Sequence, residues 1–283
     1  MNYDPSRNIP KPVDILILGA GWTSTFLIPL LKQKSISFAA TSTTGRDDTL
    51  AFKFEPDSTD LTPYTGLPSA TTILITFPLK GPSQSRTLVH NYTASHAHLN
   101  AKPHWIQLGS TGIYTAPHWT DHTSPYDTSN ARAIAEDELL ATADHATVLN
   151  LAGLYGGTRV PRNWVSRVAK SLPDAKAKGA LHLIHGEDVA RLVVEAHERF
   201  EKVQGRRWVC TDLRILDWWW LMCEWDAEVE GTKVKEAVVG WMEEDGVRAL
   251  PRESGALGRC LDGRGVWRAL DLAPSKGVEE VLG

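Results

Sequence analysis

Val13-Asp-Ile-Leu-Ile-Leu-Gly19-Ala-Gly21-Trp22 is the stretch that decides the fold. Val13 to Leu18 is apolar apart from Asp14 and has the length of one strand, a pattern suited to a parallel strand buried on both faces. Thr23 to Lys32 follows with apolar residues at helical spacing, and Pro29 well inside it is expected to kink the helix. Strand, glycine turn and helix in direct succession form the opening of a dinucleotide-binding unit. The first glycine permits the tight turn, and the second lets backbone amides approach a pyrophosphate at the positive end of the helix. The third glycine of G-x-G-x-x-G is replaced by Ser24, which is small enough for close helix–strand packing. Gly19, Gly21, Trp22 and Thr23 are therefore the candidate phosphate-binding residues. A purely structural turn is the alternative, and the position between the first strand and the first helix weighs against it.

Further along, Ile36–Ala40, Thr72–Phe77, His104–Leu108 and Thr147–Leu151 read as strands. Ser85–Leu99, Ala131–Ala143 and Val189–Phe200 read as helices, and Thr115–Ser129 as a long polar loop. Strand alternating with helix at this rhythm predicts an α/β fold, a doubly wound parallel sheet of Rossmann type. From Thr211 the rhythm stops and the chain becomes Trp-rich and helical, which predicts a smaller, mainly helical C-terminal lobe. The expected division is a polar tail over 1–12, a dinucleotide-binding domain over 13–210 and a cover lobe over 211–283.

The second strand selects the nucleotide. An NAD site usually carries Asp or Glu there to accept from the ribose 2′-hydroxyl, but Phe38-Ala-Ala-Thr41 has no acid. The hydroxyls of Thr43 and Thr44 and the Arg46 guanidinium, in Ser42-Thr-Thr-Gly-Arg46, can hold a 2′-phosphate instead. NADP is thus expected over NAD, although Asp47 and Asp48 offer Arg46 a plain ion pair.

Composition narrows the class. Over 283 residues, 30 Lys and Arg face 34 Asp and Glu, a formal charge of -4, so there is no basic footprint for nucleic acid or anionic lipid. Hydrophobic residues at 42% and charged residues at 23% describe an ordinary folded chain. No apolar run approaches the ~20 residues that cross a bilayer, and Met1–Pro12 lacks the apolar core of a signal peptide. The expectation is a cytoplasmic protein with a small-molecule substrate, no nucleic-acid partner and no membrane contact. Cys210, Cys223 and Cys260 are odd in number and widely spaced, which suits neither a disulfide framework nor a zinc ribbon.

Gly19-Ala-Gly21, Gly109-Ser-Thr-Gly-Ile-Tyr114, Leu151-Ala-Gly-Leu-Tyr-Gly156 and His185-Gly-Glu-Asp-Val-Ala190, in this order, resemble the extended short-chain dehydrogenase/reductases, a superfamily that includes the NAD-dependent epimerases and dehydratases. The likeness runs from Val13 to the C-terminus and is greatest to an atypical branch. It implies that Ser110 takes the place of the catalytic serine and that Tyr155 and Gly156 lie near the nicotinamide. It also implies that Phe77 and Pro78 fall where the fourth strand meets the cofactor, and that His185 and Asp188 help lock the C-terminal lobe. The family's Tyr-x-x-x-Lys pair does not occur between Ser110 and Leu140; aligned on Glu136, its positions fall on Thr128 and Arg132. Tyr126 stands four residues before Asn130, and asparagine has no charge with which to lower a phenol pKa from about 10. Tyr126 with Arg132 is the candidate substitute beside Ser110. The implied activity is an NADP(H)-binding oxidoreductase or epimerase-like enzyme acting on a small polar substrate. A non-catalytic NADP(H)-binding sensor or scaffold is the alternative.

Other residues have plainer readings. Tyr114 and Tyr155 are expected to pack rather than donate protons, and Asp188 to brace its own helix. His118, Asp121 and His122 form a loop cluster without a second ligand group at metal-binding spacing, so no metal is expected; Trp119 and these histidines are candidates for a lid. Of Trp218-Trp219-Trp220, at least one should face outward, toward a ligand or a homodimer partner, because consecutive helical side chains diverge.

Overall fold

The computed structural model describes residues 10–99 and 102–282; most of the expected 1–12 tail lies outside them. Among the described residues, fifteen strands run in chain order. They are β1 (Val13–Leu18), β2 (Phe38–Ser42), β3 (Leu50–Ala51), β4 (Ala70–Ile75), β5 (His104–Ser110), β6 (Trp119–Thr120), β7 (Ala146–Leu151) and β8 (Gly153–Tyr155). Then come β9 (Ala180–Leu181), β10 (Leu183–His185), β11 (Arg207–Cys210), β12 (Leu216–Asp217), β13 (Glu228–Val229), β14 (Thr232–Lys233) and β15 (Cys260–Leu261).

Seven of them form the main sheet, in the order β11-β7-β5-β4-β1-β2-β3. The neighbours β1–β2, β1–β4, β4–β5 and β2–β3 are parallel. Strand order reverses between β1 and β4, so the crevice at their carboxyl ends is the switch point where doubly wound sheets bind ligands. Helices flank the sheet, and the expected Rossmann-type α/β fold is the one found. Ile15, Leu16, Ile17 and Leu18 are each 0% exposed, as a strand covered on both faces requires.

The chain divides into two compact units. The first comprises Met1–Ile113, Asp127–Asn150 and Val189–Trp208; the second comprises Tyr114–Tyr126, Leu151–Asp188 and Val209–Gly283. In the first, Leu16, Leu18, Ile73 and Ile75 pack with Leu88, Trp105, Leu139 and Val148.

The second unit holds four two-stranded ribbons, β8–β10, β9–β12, β13–β14 and β6–β15. Its core gathers Val165, Ala175, Met222, Val234 and Val238 around Trp218, Trp219 and Trp241. The tryptophan run is therefore largely a packing device. Trp219 is fully buried, donates its indole N–H to the Lys176 carbonyl at 2.9 Å and lies 5.4 Å from the Trp241 ring. The buried Arg252–Asp217 ion pair closes over it, with the guanidinium 3.8 Å from the Trp219 ring centre. Trp220 alone of the three stays half-buried.

Several local expectations change. The second strand runs Phe38–Ser42 instead of Ile36–Ala40, carrying Thr41 and Ser42 into the sheet. The helix expected over Ser85–Leu99 ends at Ser95, where the buried His96 ring bonds the carbonyls of Tyr92 and Leu67 and turns the chain. The first helix runs Ser24–Gln33 instead of Thr23–Lys32, with Pro29 inside it and exposed. The Thr115–Ser129 loop contains β6, paired in parallel with β15. Asp188 is buried and accepts from the backbone and hydroxyl of Ser275 at 2.8–3.0 Å, so it braces the closing segment and not only its own helix.

Candidate functional site

Gly19 follows β1 directly. It has φ +94°, and a Cβ there would stand 2.8 Å from Thr76 Oγ1, so both the backbone conformation and the space call for glycine. Two threonines at the ends of the flanking strands clamp this residue. Thr41 Oγ1 accepts from Gly19 N–H at 3.0 Å, and Thr76 Oγ1 donates to the carbonyls of Leu18 and Gly19. The Thr41 carbonyl in turn accepts from Ala20 N–H at 2.6 Å. Neither threonine stands out in the sequence as a site residue; the signal was a hydroxyl at the carboxyl end of each strand beside the glycine turn.

Gly21 differs from Gly19. A Cβ on it would meet nothing within 4 Å, and the residue is exposed. Folding does not need glycine here, and its absent side chain leaves the backbone of the turn open to solvent. The N–H groups of Ser24, Thr25 and Phe26 bond back to Gly21, Trp22 and Thr23, so the turn winds straight into its helix. Thr23 makes no side-chain capping bond, and no described residue accepts from its N–H. Ser24 Oγ, buried in the first turn, also has no partner among the described residues. An open backbone cradle at a helix start, with donors to spare, is suited to an anion. Trp22 packs edge-on against Phe26 at 4.9 Å, beside the turn.

Phe77 lies against the same glycine, its Cδ1 3.2 Å from where a Gly19 Cβ would stand. Phe54 stacks on it at 5.9 Å and 23°, a contact that 22 intervening residues hide in the sequence. Pro78 is exposed next to it. Beyond β2, Thr43, Thr44 and Arg46 are exposed on one loop, with Arg46 N–H donating to Ser42 Oγ at 3.1 Å. Arg46 Nη1 pairs with Asp47 Oδ2 at 2.7 Å, the plain pairing its neighbours offer.

Ser110 ends β5, and its Oγ accepts from Gly112 N–H at 3.1 Å. Behind this strand end lies a buried polar group that the sequence does not announce. Glu136, 0% exposed, accepts from Asn150 Nδ2 at 3.0 and 2.9 Å and faces Arg207 Nε at 3.4 Å; Asn150 also donates to the Ser110 carbonyl at 3.3 Å. Burial pushes the Glu136 carboxyl up, opposed by Asn150 and by the charges of Arg207 and Arg132. Gly109 makes room for it, since a Cβ there would lie 2.4 Å from both Glu136 Oε1 and Asn150 Nδ2. Arg132 thus serves the electrostatics of Glu136, one helical turn away. Asn130, which occupies the lysine-like place after Tyr126, caps the helix Ala131–Thr142 by accepting from Arg132 N–H.

Tyr126 and Tyr155 belong to the second unit. Tyr126 meets Tyr114 edge-on at 6.2 Å. Tyr155 is 1% exposed, and its hydroxyl has no partner among the described residues. Burial, aided by the charge of nearby Asp212, raises its pKa, so it packs and does not ionise near neutrality. Next to it, Gly156 has φ +106°, and a Cβ would strike the His185 ring. Among the described residues no group of three or more His, Cys, Asp or Glu is placed to hold a metal ion, and no helix is long and apolar enough to cross a membrane.

No protein-family model matches the chain, and no curated protein matches it. Solved structures do. A functionally unknown conserved protein from Silicibacter pomeroyi DSS is similar over 96% of each chain, with a TM-score of 0.62 and 19% identity. RMD from Pseudomonas aeruginosa, complexed with NADPH, is similar over 95% of this chain and 96% of its own, with a TM-score of 0.62 and 11% identity. A short-chain dehydrogenase/reductase superfamily protein from Agrobacterium tumefaciens with bound NAD is similar over 95% and 94%, with a TM-score of 0.59 and 10% identity. At such identities the likeness is one of fold, and it extends over nearly the whole chain.

Proposed function

We propose that the chain binds a nicotinamide dinucleotide across the Gly19–Thr23 turn and acts as an oxidoreductase or epimerase-like enzyme on a small polar substrate. The observation that carries this is Gly21, a glycine the fold leaves open at the switch point of a doubly wound sheet. NAD and NADPH occupy two of the similar structures, which supports a nicotinamide cofactor without choosing between them. Within this reading NADP is favoured, because β2 ends in Thr41 and Ser42 with no carboxylate, and Thr43, Thr44 and Arg46 follow on an exposed loop. The guanidinium leaves donors beyond the one held by Asp47 for a 2′-phosphate.

The bound nucleotide would supply the hydride chemistry. The chain's own share is to hold the pyrophosphate on the turn amides, to wall the nucleotide with Phe77 and Pro78, and to orient a substrate carbonyl or hydroxyl through Ser110. The protein is taken to be cytoplasmic, with Trp220 as the aromatic face open to a homodimer. The test is turnover of NADPH with a panel of carbonyl and sugar-nucleotide substrates, by the wild type and by Ser110→Ala. Turnover that Ser110→Ala removes while NADPH affinity stays within about twofold supports the enzyme. NADPH binding with no turnover, and a partner whose affinity follows the redox state of the nucleotide, identifies the non-catalytic sensor instead.

A further inference from the structure

Outside the nucleotide turn, the second unit contains a cavity of about 510 Å³, within the size range of small-molecule sites. Three separate stretches line it. Trp119 comes from β6, Leu213 and Ile215 from the turn after β11, and Leu261 to Arg264 from β15 and the residues beyond.

Two of its lining residues are apolar side chains left in water: Trp119 is 55% exposed and Leu213 45%. Leu213 is held at φ +65°, in the left-handed region that residues with a Cβ seldom adopt. Strain of this kind persists only where the surrounding structure imposes it, and it gathers at ligand sites. Here it presents a leucine to the cavity and not to a core.

The cavity is also rigidly built. The His182 ring bonds Leu261 N–H through Nε2 at 3.1 Å and the Arg214 carbonyl through Nδ1 at 3.2 Å, tying two of the lining stretches together. Asp262 N–H donates to the Thr120 carbonyl at 2.8 Å, which fixes the Trp119 strand to the third. Gly263 lies so close to Thr211 that a Cβ would stand 2.4 Å from its Oγ1.

The charged residues of its lining are Asp262 and Arg264, and the Asp121 carboxylate acts on both from beyond the lining. Arg264 binds Asp262 through Nε at 3.0 Å to each oxygen and through Nη2 at 2.6 Å. This fixes the guanidinium plane and leaves Nη1 outside the pair. The lining therefore offers apolar walls, an indole face, one carboxylate paired to one guanidinium, and one oriented donor. An anion there would meet the Asp262 carboxylate, and a cation would meet Arg264.

We propose that this cavity binds an uncharged, flat ring compound carrying a carbonyl acceptor, its ring against Trp119 and Leu213 and its carbonyl accepting from Arg264 Nη1. The inference stands whether or not the first unit takes a nucleotide. The probe is coumarin, a neutral bicyclic lactone, titrated into the full-length protein without nucleotide and followed by saturation-transfer NMR. Benzoate and benzylammonium serve as the charged counterparts. The expected result is saturable coumarin binding at least about tenfold tighter than either charged probe. Trp119→Ala should weaken it by about tenfold or more, Trp119→Phe by less than about threefold, and Arg264→Ala by roughly fivefold. Trp119 and Arg264 are both exposed, so all three variants should melt like the wild type. No saturable coumarin binding, binding that Trp119→Ala leaves unchanged, or tighter binding of a charged probe would each overturn the proposal.

Discussion

Replacing Asp212 by asparagine should stabilise the protein at neutral pH, and the size of the gain follows from the surroundings of the carboxylate. Asp212 is 2% exposed. Its Oδ1 accepts from Arg214 N–H at 3.1 Å, while its Oδ2 has no hydrogen bond among the described residues. The Arg214 guanidinium stands 3.5 Å from Oδ2, at the limit of hydrogen bonding, so its charge offsets burial only in part. Burial therefore dominates and pushes the carboxyl up to about 6, from 3.8 in the unfolded chain. Because the folded value lies above the unfolded one, folding favours the protonated acid. Its contribution is complete below pH 3.8, is lost as pH rises through 6 and is gone above about 7. A shift of this size corresponds to about 3 kcal/mol.

An asparagine keeps the oxygen that accepts from Arg214 N–H and removes the buried charge. In a chain of this length the gain appears as roughly 5 °C in Tm. Thermal melts of both proteins between pH 5 and 8 provide the assay, with the variant leading above pH 7 and the gap narrowing steadily toward pH 5. A variant that melts below the wild type at pH 7.5, or a gap that does not change with pH, would falsify the burial argument.

Two further substitutions test packing around each candidate region. Gly109→Ala pushes a methyl into the space held by Glu136 and Asn150; a loss of about 1–3 kcal/mol is expected in denaturant unfolding, and an unchanged midpoint would mean that the buried carboxylate can move aside. Arg252→Ala strips the partner from Asp217, which is 0% exposed. The cost should be about 3–5 kcal/mol at pH 7, and a midpoint within the error of the wild type would show that water already reaches that pair.

The sheet was legible because strands buried on both faces leave unbroken apolar runs, of which Val13–Leu18 is the plainest. The glycine turn was legible because backbone geometry constrains residue type directly. Strand boundaries were less so: Thr41 and Ser42 look like loop residues until the clamp on Gly19 explains why the strand extends to them. Glu136 stayed hidden because Glu136-Asp137-Glu138 reads as a solvated helical face, and only the pairing with Asn150 and Arg207 reveals it as core. The cavity beside Trp119 was out of reach for a different reason, since its lining comes from stretches about 90 and 50 residues apart whose neighbourhood no local pattern encodes. The tryptophan run was legible in outline, since consecutive helical side chains diverge and only Trp220 stays half-buried. What holds Trp219 at the centre of a core, an indole N–H bonded to a carbonyl and an arginine stacked on the ring, was not.

Dinucleotide binding at Gly21 is tested most directly by thermal melts of the wild type and Gly21→Ala with NADPH, NADP, NADH and NAD. A ligand at 100 times its Kd adds about 2.7 kcal/mol of stability. NADPH should raise the wild-type Tm by roughly 4–5 °C. Gly21→Ala, whose added methyl meets nothing in the protein, should melt like the wild type alone and lose the NADPH shift. A wild type that none of the four nucleotides stabilises, or a Gly21→Ala variant that keeps the full shift, would contradict binding at this turn.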